Sequence, residues 1–280
     1  MRDSSTGTLY VVATPIGHLG DMVPRAVEVL QSVGLIAAED TRSSKVLLDH
    51  FGIATKLRAY HDHNEDAASD ALLVELQQGQ NIALISDAGT PLISDPGYRI
   101  VAKARSAGIT VSPIPGACAM VAALSVSGMP TDKFIFEGFL SAKGSHRRQR
   151  LEQLSEERRT MIFYESKHRL VDTVKDMAGV LGGSREVVLA REITKLHETI
   201  TALPLSEMAD WLLENTNRIK GESVLVLAGA PETEQRIDSH AVGWLVALAQ
   251  ELAPKKAASI VSKQTGVPKK QLYDWLLDNK

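Results

Sequence analysis

A single cysteine, Cys118, stands in 280 residues. An intramolecular disulfide is therefore excluded, and the chain fits a reducing compartment. No apolar run is long enough to cross a bilayer. The opening MRDSSTGTLYVVA lacks the basic-then-apolar order of a secretory leader, so a cytoplasmic protein away from membranes is expected. Positive charge is not in excess either: the net charge is −3, and any nucleic-acid partner has to be drawn by local patches. What the chain does have is a globular composition, 44% hydrophobic and 23% charged, on a length that suits two domains and a small addition.

Apolar runs alternate with amphipathic stretches. LYVVA (9–13), GLIAA (34–38), NIALIS (81–86) and the weaker TVSPI (110–114) are predicted strands, with helical patterns between them. This alternation predicts a mainly parallel sheet covered on both faces, with ligands gathering beyond the carboxyl ends of its strands. A second set follows in FIFEGF (134–139), TMIFYE (160–165), EVVLARE (186–192) and GESVLVLAG (221–229). Helices are expected at 145–158, 167–180 and 205–216, and EVVLARE and HETITAL (197–203) are close enough to pair antiparallel. The division is α/β domains over 1–115 and 116–232 and a helical extension over 233–280, with PETEQRIDSH (231–240) reading as a linker. In the extension, Pro254 and Pro268 suit first helical turns, Gly266 suits a helix end, and the spacing is that of a helix-turn-helix.

The densest punctuation in the chain is ISDAGTPLISDPG, residues 85–97, directly after a predicted strand. It carries neither G-x-x-x-x-G-K-[ST] nor G-x-G-x-x-G, and Asp87 and Asp95 would repel a phosphate. Two aspartates eight residues apart are thin support for magnesium. A ligand with cationic groups and hydroxyl donors, held against bare backbone, suits the loop, and S-adenosylmethionine meets that description. The plain alternative is a tight connector in which Asp95 caps the helix opening PGYRIV.

Seven motifs then occur in order: TLYVVATPIGHLGDM (8–22), AAEDTR (37–42), LISDAGTPLISDPG (84–97), PGACA (115–119), FEGFL (136–140), FYESKHR (163–169) and REITKLHE (191–198). Together they resemble the bacterial ribosomal RNA small subunit methyltransferase I family, a branch of the tetrapyrrole methylase superfamily, over about residues 8–229. The resemblance implies two α/β domains with S-adenosylmethionine between them, usually in a homodimer. It also implies 2′-O-methylation of a cytidine ribose in the decoding region of 16S rRNA, with the small ribosomal subunit as partner. Superfamily members that methylate tetrapyrrole carbons carry a G-x-G-P-G loop after the first strand. Here that position reads ATPIGHLG, which argues against a porphyrin-type substrate.

By the same resemblance the cofactor shell draws on Thr14, Pro15, Asp87, Ala88, Gly89, Ile93, Cys118, Ala119, Phe163 and Tyr164. Phe163 and Tyr164 read equally well as strand-core aromatics, and Cys118 among alanines reads as buried filler rather than a nucleophile. Methyl transfer to a ribose hydroxyl needs alignment and an acceptor for the hydroxyl proton. Glu165 and Lys195 are the candidates near the acceptor, with Arg42 and Arg191 orienting RNA phosphate. Lys143, Arg147, Arg148 and Arg150 form an acid-free basic segment, and Lys255, Lys256, Lys269 and Lys270 enrich the extension, both suited to RNA backbone. Solvated, salt-bridged surface is the alternative for all these charges. Lys167 stands where the family often has proline, which makes it a candidate added phosphate contact. His61-Asp62-His63 is too few ligands for a metal, and none is expected. Two other functions remain: a tetrapyrrole C-methyltransferase, and an inactive RNA-binding ribosome assembly factor.

Overall fold

The computed structural model describes residues 6–62, 64–231, 237 and 239–279. Two compact units divide at Ala230. The larger contains two five-stranded sheets.

The first sheet is formed by β1 (Thr8–Val12), β2 (Leu35–Ala38), β3 (Leu57–Ala59), β4 (Ile82–Ile85) and β5 (Thr110–Ile114), all parallel in the order β3-β2-β4-β1-β5. β2 and β4 are buried at every residue, as expected of strands covered on both faces. Alternation still sorts their side chains. Ile36, Ala38, Ala83 and Ile85 pack with Leu30 of α1 (Pro24–Ser32) and Leu48 of α2 (Thr41–His50). Leu35, Ala37, Ile82 and Leu84 pack with Leu72 and Leu76 of α3 (Glu65–Gln77) and Ile100 and Ala104 of α4 (Tyr98–Ser106). Because every strand runs the same way, the loops after β1, β2, β4 and β5 emerge at one edge.

The second sheet holds β6 (Phe134–Phe139), β7 (Thr160–Ser166), β8 (Glu186–Arg191), β9 (Thr199–Pro204) and β10 (Glu222–Leu227), in the order β6-β7-β10-β8-β9. Only β6 and β7 are parallel; the expected β8–β9 hairpin is present, with Glu186 opposite Pro204. Helices α6 (Gly144–Gln153), α7 (Leu170–Leu181) and α8 (Leu205–Glu214) bury Leu151, Val174, Met177 and Leu212 on one face. The short α5 (Ala119–Val126) packs Ala123 and Leu124 on the other, against Ile162, Val188 and Val226.

The second unit has three helices, α9 (Ser239–Glu251), α10 (Pro254–Thr265) and α11 (Lys269–Asp278), around Leu245, Val261 and Leu272. Pro254 opens α10 and Gly266 closes it in the left-handed conformation (φ 76°) that a Cβ would oppose. Lys255, Lys256, Lys269 and Lys270 are all exposed in the first turns of α10 and α11. The expected linker 231–240 lies largely outside the described residues, as does His63. Among the described residues no helix is long and apolar enough to cross a membrane.

Candidate active site

Three loops of the first sheet are stitched together at its carboxyl edge. Thr14 and Gly89 exchange backbone hydrogen bonds, with N–H of Thr14 donating to the Gly89 carbonyl at 2.8 Å and the reverse bond at 3.1 Å. The Thr90 hydroxyl donates to the Ala117 carbonyl at 2.9 Å, joining the aspartate loop to the PGACA turn. Gly89 has φ 84°, a conformation that strains an L side chain, and a Cβ there would crowd Ile16 Cγ2 at 3.2 Å. The loop after β1 also reaches the second sheet: the His18 N–H donates to Thr194 Oγ1 at 3.1 Å.

A cavity of about 530 Å³ lies in the larger unit, within the size range of small-molecule sites. Its wall is built by Ile16, by Asp87 to Thr90 and Ile93 to Asp95 of the aspartate loop, by Cys118 and Ala119 at the start of α5, and by strand ends of the second sheet. Backbone strain concentrates around it. Among the described residues the non-glycines with left-handed φ are Leu92, Ser94, Glu192 and Thr194, two in the aspartate loop and two in the loop after β8. Each such residue costs on the order of 1–3 kcal/mol, which surrounding contacts have to offset.

The cavity collects negative charge. Asp87 Oδ1 accepts from the Asp40 N–H at 3.1 Å and the Ser43 hydroxyl at 2.8 Å, which ties the loop to the start of α2. Burial raises the Glu39 carboxyl, and the Asp87 charge adds to it. Burial, then Glu39, pushes Asp95 up to about 6, although a hydrogen bond from Ser86 works the other way. Asp95 is therefore no helix cap. Gly97 stands at the cap position of α4, and the N–H groups of Gly97 and Arg99 go instead to Glu65 Oε1 at 3.0 and 3.3 Å. Glu65 opens α3 in HNED, a stretch whose role only the fold reveals.

Of the expected cofactor shell, Asp87, Ala88, Gly89, Ile93, Cys118, Ala119 and Tyr164 line the cavity. Thr14 and Pro15 are buried behind it, Thr14 supporting the loop through its hydroxyl at 3.4 Å from the Ser86 carbonyl. The Phe163 side chain does not line the cavity. Strand alternation turns it to the opposite face, where it is fully buried against α6, α7 and α8. Tyr164 faces the cavity with Phe136 and Phe139 set edge-on to it, and its hydroxyl accepts the Met120 N–H at 3.1 Å.

The two expected catalytic groups both have partners. Glu165 borders the cavity but is committed: its Oε1 accepts the Ser166 N–H at 2.7 Å and pairs with Arg169 at 3.0 Å, and its Oε2 accepts the Thr173 hydroxyl at 2.6 Å. Lys195 pairs with Glu192 and with Glu222, each at 2.9 Å. Burial pulls the Lys195 ammonium down, but the bonds to Glu222 and Glu192 outweigh it and hold it protonated.

The basic residues divide the same way. Arg191 is buried and spends its guanidinium on the Lys220 carbonyl, the His197 carbonyl and the Thr199 hydroxyl, so it braces the loop after β8. Arg147 is buried against Asp176, 2.6 Å away, and pins α6 to α7. Arg148 shares Asp176 and Arg150 pairs with Glu137, both half-exposed. Arg42 is 90% exposed beside Asp40, and Lys143 is exposed. Among the described residues no three His, Cys, Asp or Glu side chains are grouped to hold a metal.

Residues 8–209 match the family model of Tetrapyrrole (Corrin/Porphyrin) Methylases, and residues 236–280 match that of the RsmI C-terminal HTH domain. The fold is that of the tetrapyrrole methylases. A uroporphyrin-III C-methyl transferase from Thermus thermophilus, solved in complex with S-adenyl homocysteine, superposes with a TM-score of 0.54 at 17% identity, covering 79% of this chain and 97% of that one. Much nearer in sequence is ribosomal RNA small subunit methyltransferase I of Escherichia coli O157:H7, 52% identical over 278 residues, 99% of this chain and 97% of that protein. The Haemophilus influenzae protein of the same name is 53% identical over 272 residues, 96% of each chain. The chain belongs to the ribosomal RNA small subunit methyltransferase I family.

Proposed function

We propose that this protein transfers the methyl group of S-adenosylmethionine to the 2′-oxygen of a cytidine ribose in the decoding region of 16S rRNA, as a cytoplasmic homodimer acting on the small ribosomal subunit. The observation that carries the cofactor half is the crowding of Glu39, Asp87 and Asp95 at one cavity, where burial and mutual repulsion raise two of the three. A ligand bearing a sulfonium, an ammonium and ribose hydroxyls relieves that repulsion and supplies donors. A phosphorylated ligand would worsen it. The backbone around Gly89 and the small Cys118–Ala119 segment leave room for such a ligand to lie against the main chain.

The cofactor supplies an activated methyl group on a positively charged sulfur. The chain's part is to bind, align and exclude. Asp87, Ala88, Gly89, Ile93, Cys118, Ala119 and Tyr164 form the proposed cofactor wall, with Asp95 and Glu39 facing the positive charge. Alignment of the acceptor oxygen supplies much of the acceleration in a displacement of this kind. Arg42, Lys143, Arg148, Arg150 and Lys167 are the exposed cations proposed to meet RNA phosphate, together with Lys255, Lys256, Lys269 and Lys270 on the helical extension. The buried Pro15 and the cavity-lining Ile16, standing in a loop without the glycines of the porphyrin enzymes, support an acceptor other than a tetrapyrrole.

The test is transfer of labelled methyl from S-adenosylmethionine to small subunits lacking the modification, followed by mapping of the label. Label on the 2′-oxygen of one decoding-region cytidine is expected. Cofactor binding with no label in rRNA would refute the reading and turn attention to small tetrapyrroles and to an assembly role.

A further inference from the structure

With Glu165 and Lys195 committed to other partners, the cavity needs another acceptor for the ribose proton. Its titratable groups can be taken in turn. Asp87 already accepts two hydrogen bonds, and Glu39 and Asp95 share its charge cluster. A cation bound beside these carboxylates occupies them. Tyr164 is pushed up by burial and stays protonated, its oxygen engaged by the Met120 N–H. Glu222 is held by Lys195. A Cys118 thiolate would itself attack the methyl group, and Lys167 offers no lone pair while it is an ammonium.

His168 remains. It lines the cavity, is solvent-exposed, and among the described residues has no hydrogen-bond or ion-pair partner. Imidazole is the side chain that exchanges its proton near neutral pH. Its backbone is also anchored. The turn Ser166–Arg169 is closed by the Arg169 N–H to the Ser166 carbonyl at 3.0 Å. Glu165 clamps its first residue through the Ser166 N–H. Arg169 reaches back to Glu165 and across to the Leu140 carbonyl at 2.9 Å. The buried carboxylate thus acts through the turn, fixing where His168 stands.

We infer that His168 accepts the proton of the ribose 2′-hydroxyl during methyl transfer, with Glu165 as the positioning residue beneath it; the inference rests on the methyl-transfer reading above. As the hydroxyl proton passes to a ring nitrogen, the oxygen lone pair bonds to the methyl carbon and displaces the thioether. The electron pair of the broken carbon–sulfur bond stays on sulfur. Positive charge moves from the sulfonium to the imidazolium, which returns its proton to water, so atoms and charge balance.

The experiment compares the full-length parent with His168→Ala and His168→Gln on small subunits lacking the modification. S-adenosylmethionine affinity, subunit binding and melting temperature are measured alongside, so that a folding or binding defect in one variant is caught by the other. The expected result is a kcat lower by about 10²–10⁴-fold with KM and both affinities preserved. Loss of the acidic limb of the pH–kcat profile and recovery of His168→Ala by added imidazole are also expected. Full kcat in either variant, or an unaltered acidic limb, would overturn the inference while leaving methyl transfer intact. A parent protein that transfers no methyl would overturn the underlying reading instead.

Discussion

Replacing Asp95 with asparagine is expected to stabilise the protein and, at the same time, to loosen its grip on a cationic ligand. The carboxyl is pushed from 3.8 to about 6, first by burial and then by Glu39, Asp87 and Asp62. A raised carboxyl holds its proton more firmly in the folded than in the unfolded chain. Its contribution to stability is therefore intact below its unfolded value and is lost as the pH rises through about 6. The whole displacement corresponds to about 3 kcal/mol at 1.36 kcal/mol per pH unit. Asp95 is only partly buried, and solvent screening reduces this to ~1 kcal/mol. Asparagine keeps the shape without the charge, so the gain of ~1 kcal/mol is present at neutral pH and vanishes near pH ~4. A gain of that order raises the unfolding midpoint by about 2–4 °C. Thermal unfolding of both proteins at about pH 4 and about pH 7.5 reads the difference, and calorimetric titration with S-adenosylmethionine at the higher pH reads the cost. Loss of one partly buried charge partner is expected to weaken binding about tenfold. A stability difference of equal size at both pH values, or unchanged affinity, would refute the argument.

Arg191→Met leaves the Lys220 and His197 carbonyls without their guanidinium donor, so stability is expected to fall by about 1–3 kcal/mol while the salt dependence of RNA binding holds. Lys255→Ala with Lys256→Ala is expected to do the opposite, lowering the slope of log affinity against log salt by about 1.4–1.8 with an unchanged melting curve. Filter binding across a salt series and thermal unfolding separate the two, and an exchange of these phenotypes would contradict the assignment of Arg191 as a brace. Thr173→Val strips the Glu165 carboxylate of one buried donor, at a cost of about 1–3 kcal/mol by chemical unfolding. Thr173→Ser, which keeps the hydroxyl, is expected to recover most of it; failure to recover would mean that shape rather than the bond matters there.

Most strands of both sheets were legible because they carry an apolar run bounded by punctuation, and the β8–β9 hairpin because its loop is short. β3 escaped because Leu57–Ala59 is three half-buried residues around an arginine. α5 escaped because AMVAALSV is apolar on every side and shows no helical face. In the site, the aspartate loop announced itself through its glycines and charges. The fates of Arg147, Arg191 and Glu165 did not, because their partners, Asp176, the Lys220 carbonyl and Thr173, lie eight to 29 residues away in sequence. A count of charges treats a buried brace and a free surface cation alike, and only packing separates them. Phe163 and Tyr164 illustrate the same limit. Neighbours in a strand point to opposite faces, and which face meets the ligand depends on what covers the other.

The place of β1 in its sheet has a consequence for how the chain is made. Both of its neighbours, β4 and β5, come later in sequence. After Val12 leaves the ribosome, about 70 more residues must be added before Ile82 arrives to pair beside it. At ordinary elongation rates that is about 4–14 s with TLYVV and its unsatisfied backbone open to other strands. During that interval β1 is an unpaired strand open to aggregation. Slower translation ahead of β4, or a shortage of holding chaperones, is therefore expected to lower the soluble yield of this protein more than that of one whose first strand pairs with its second.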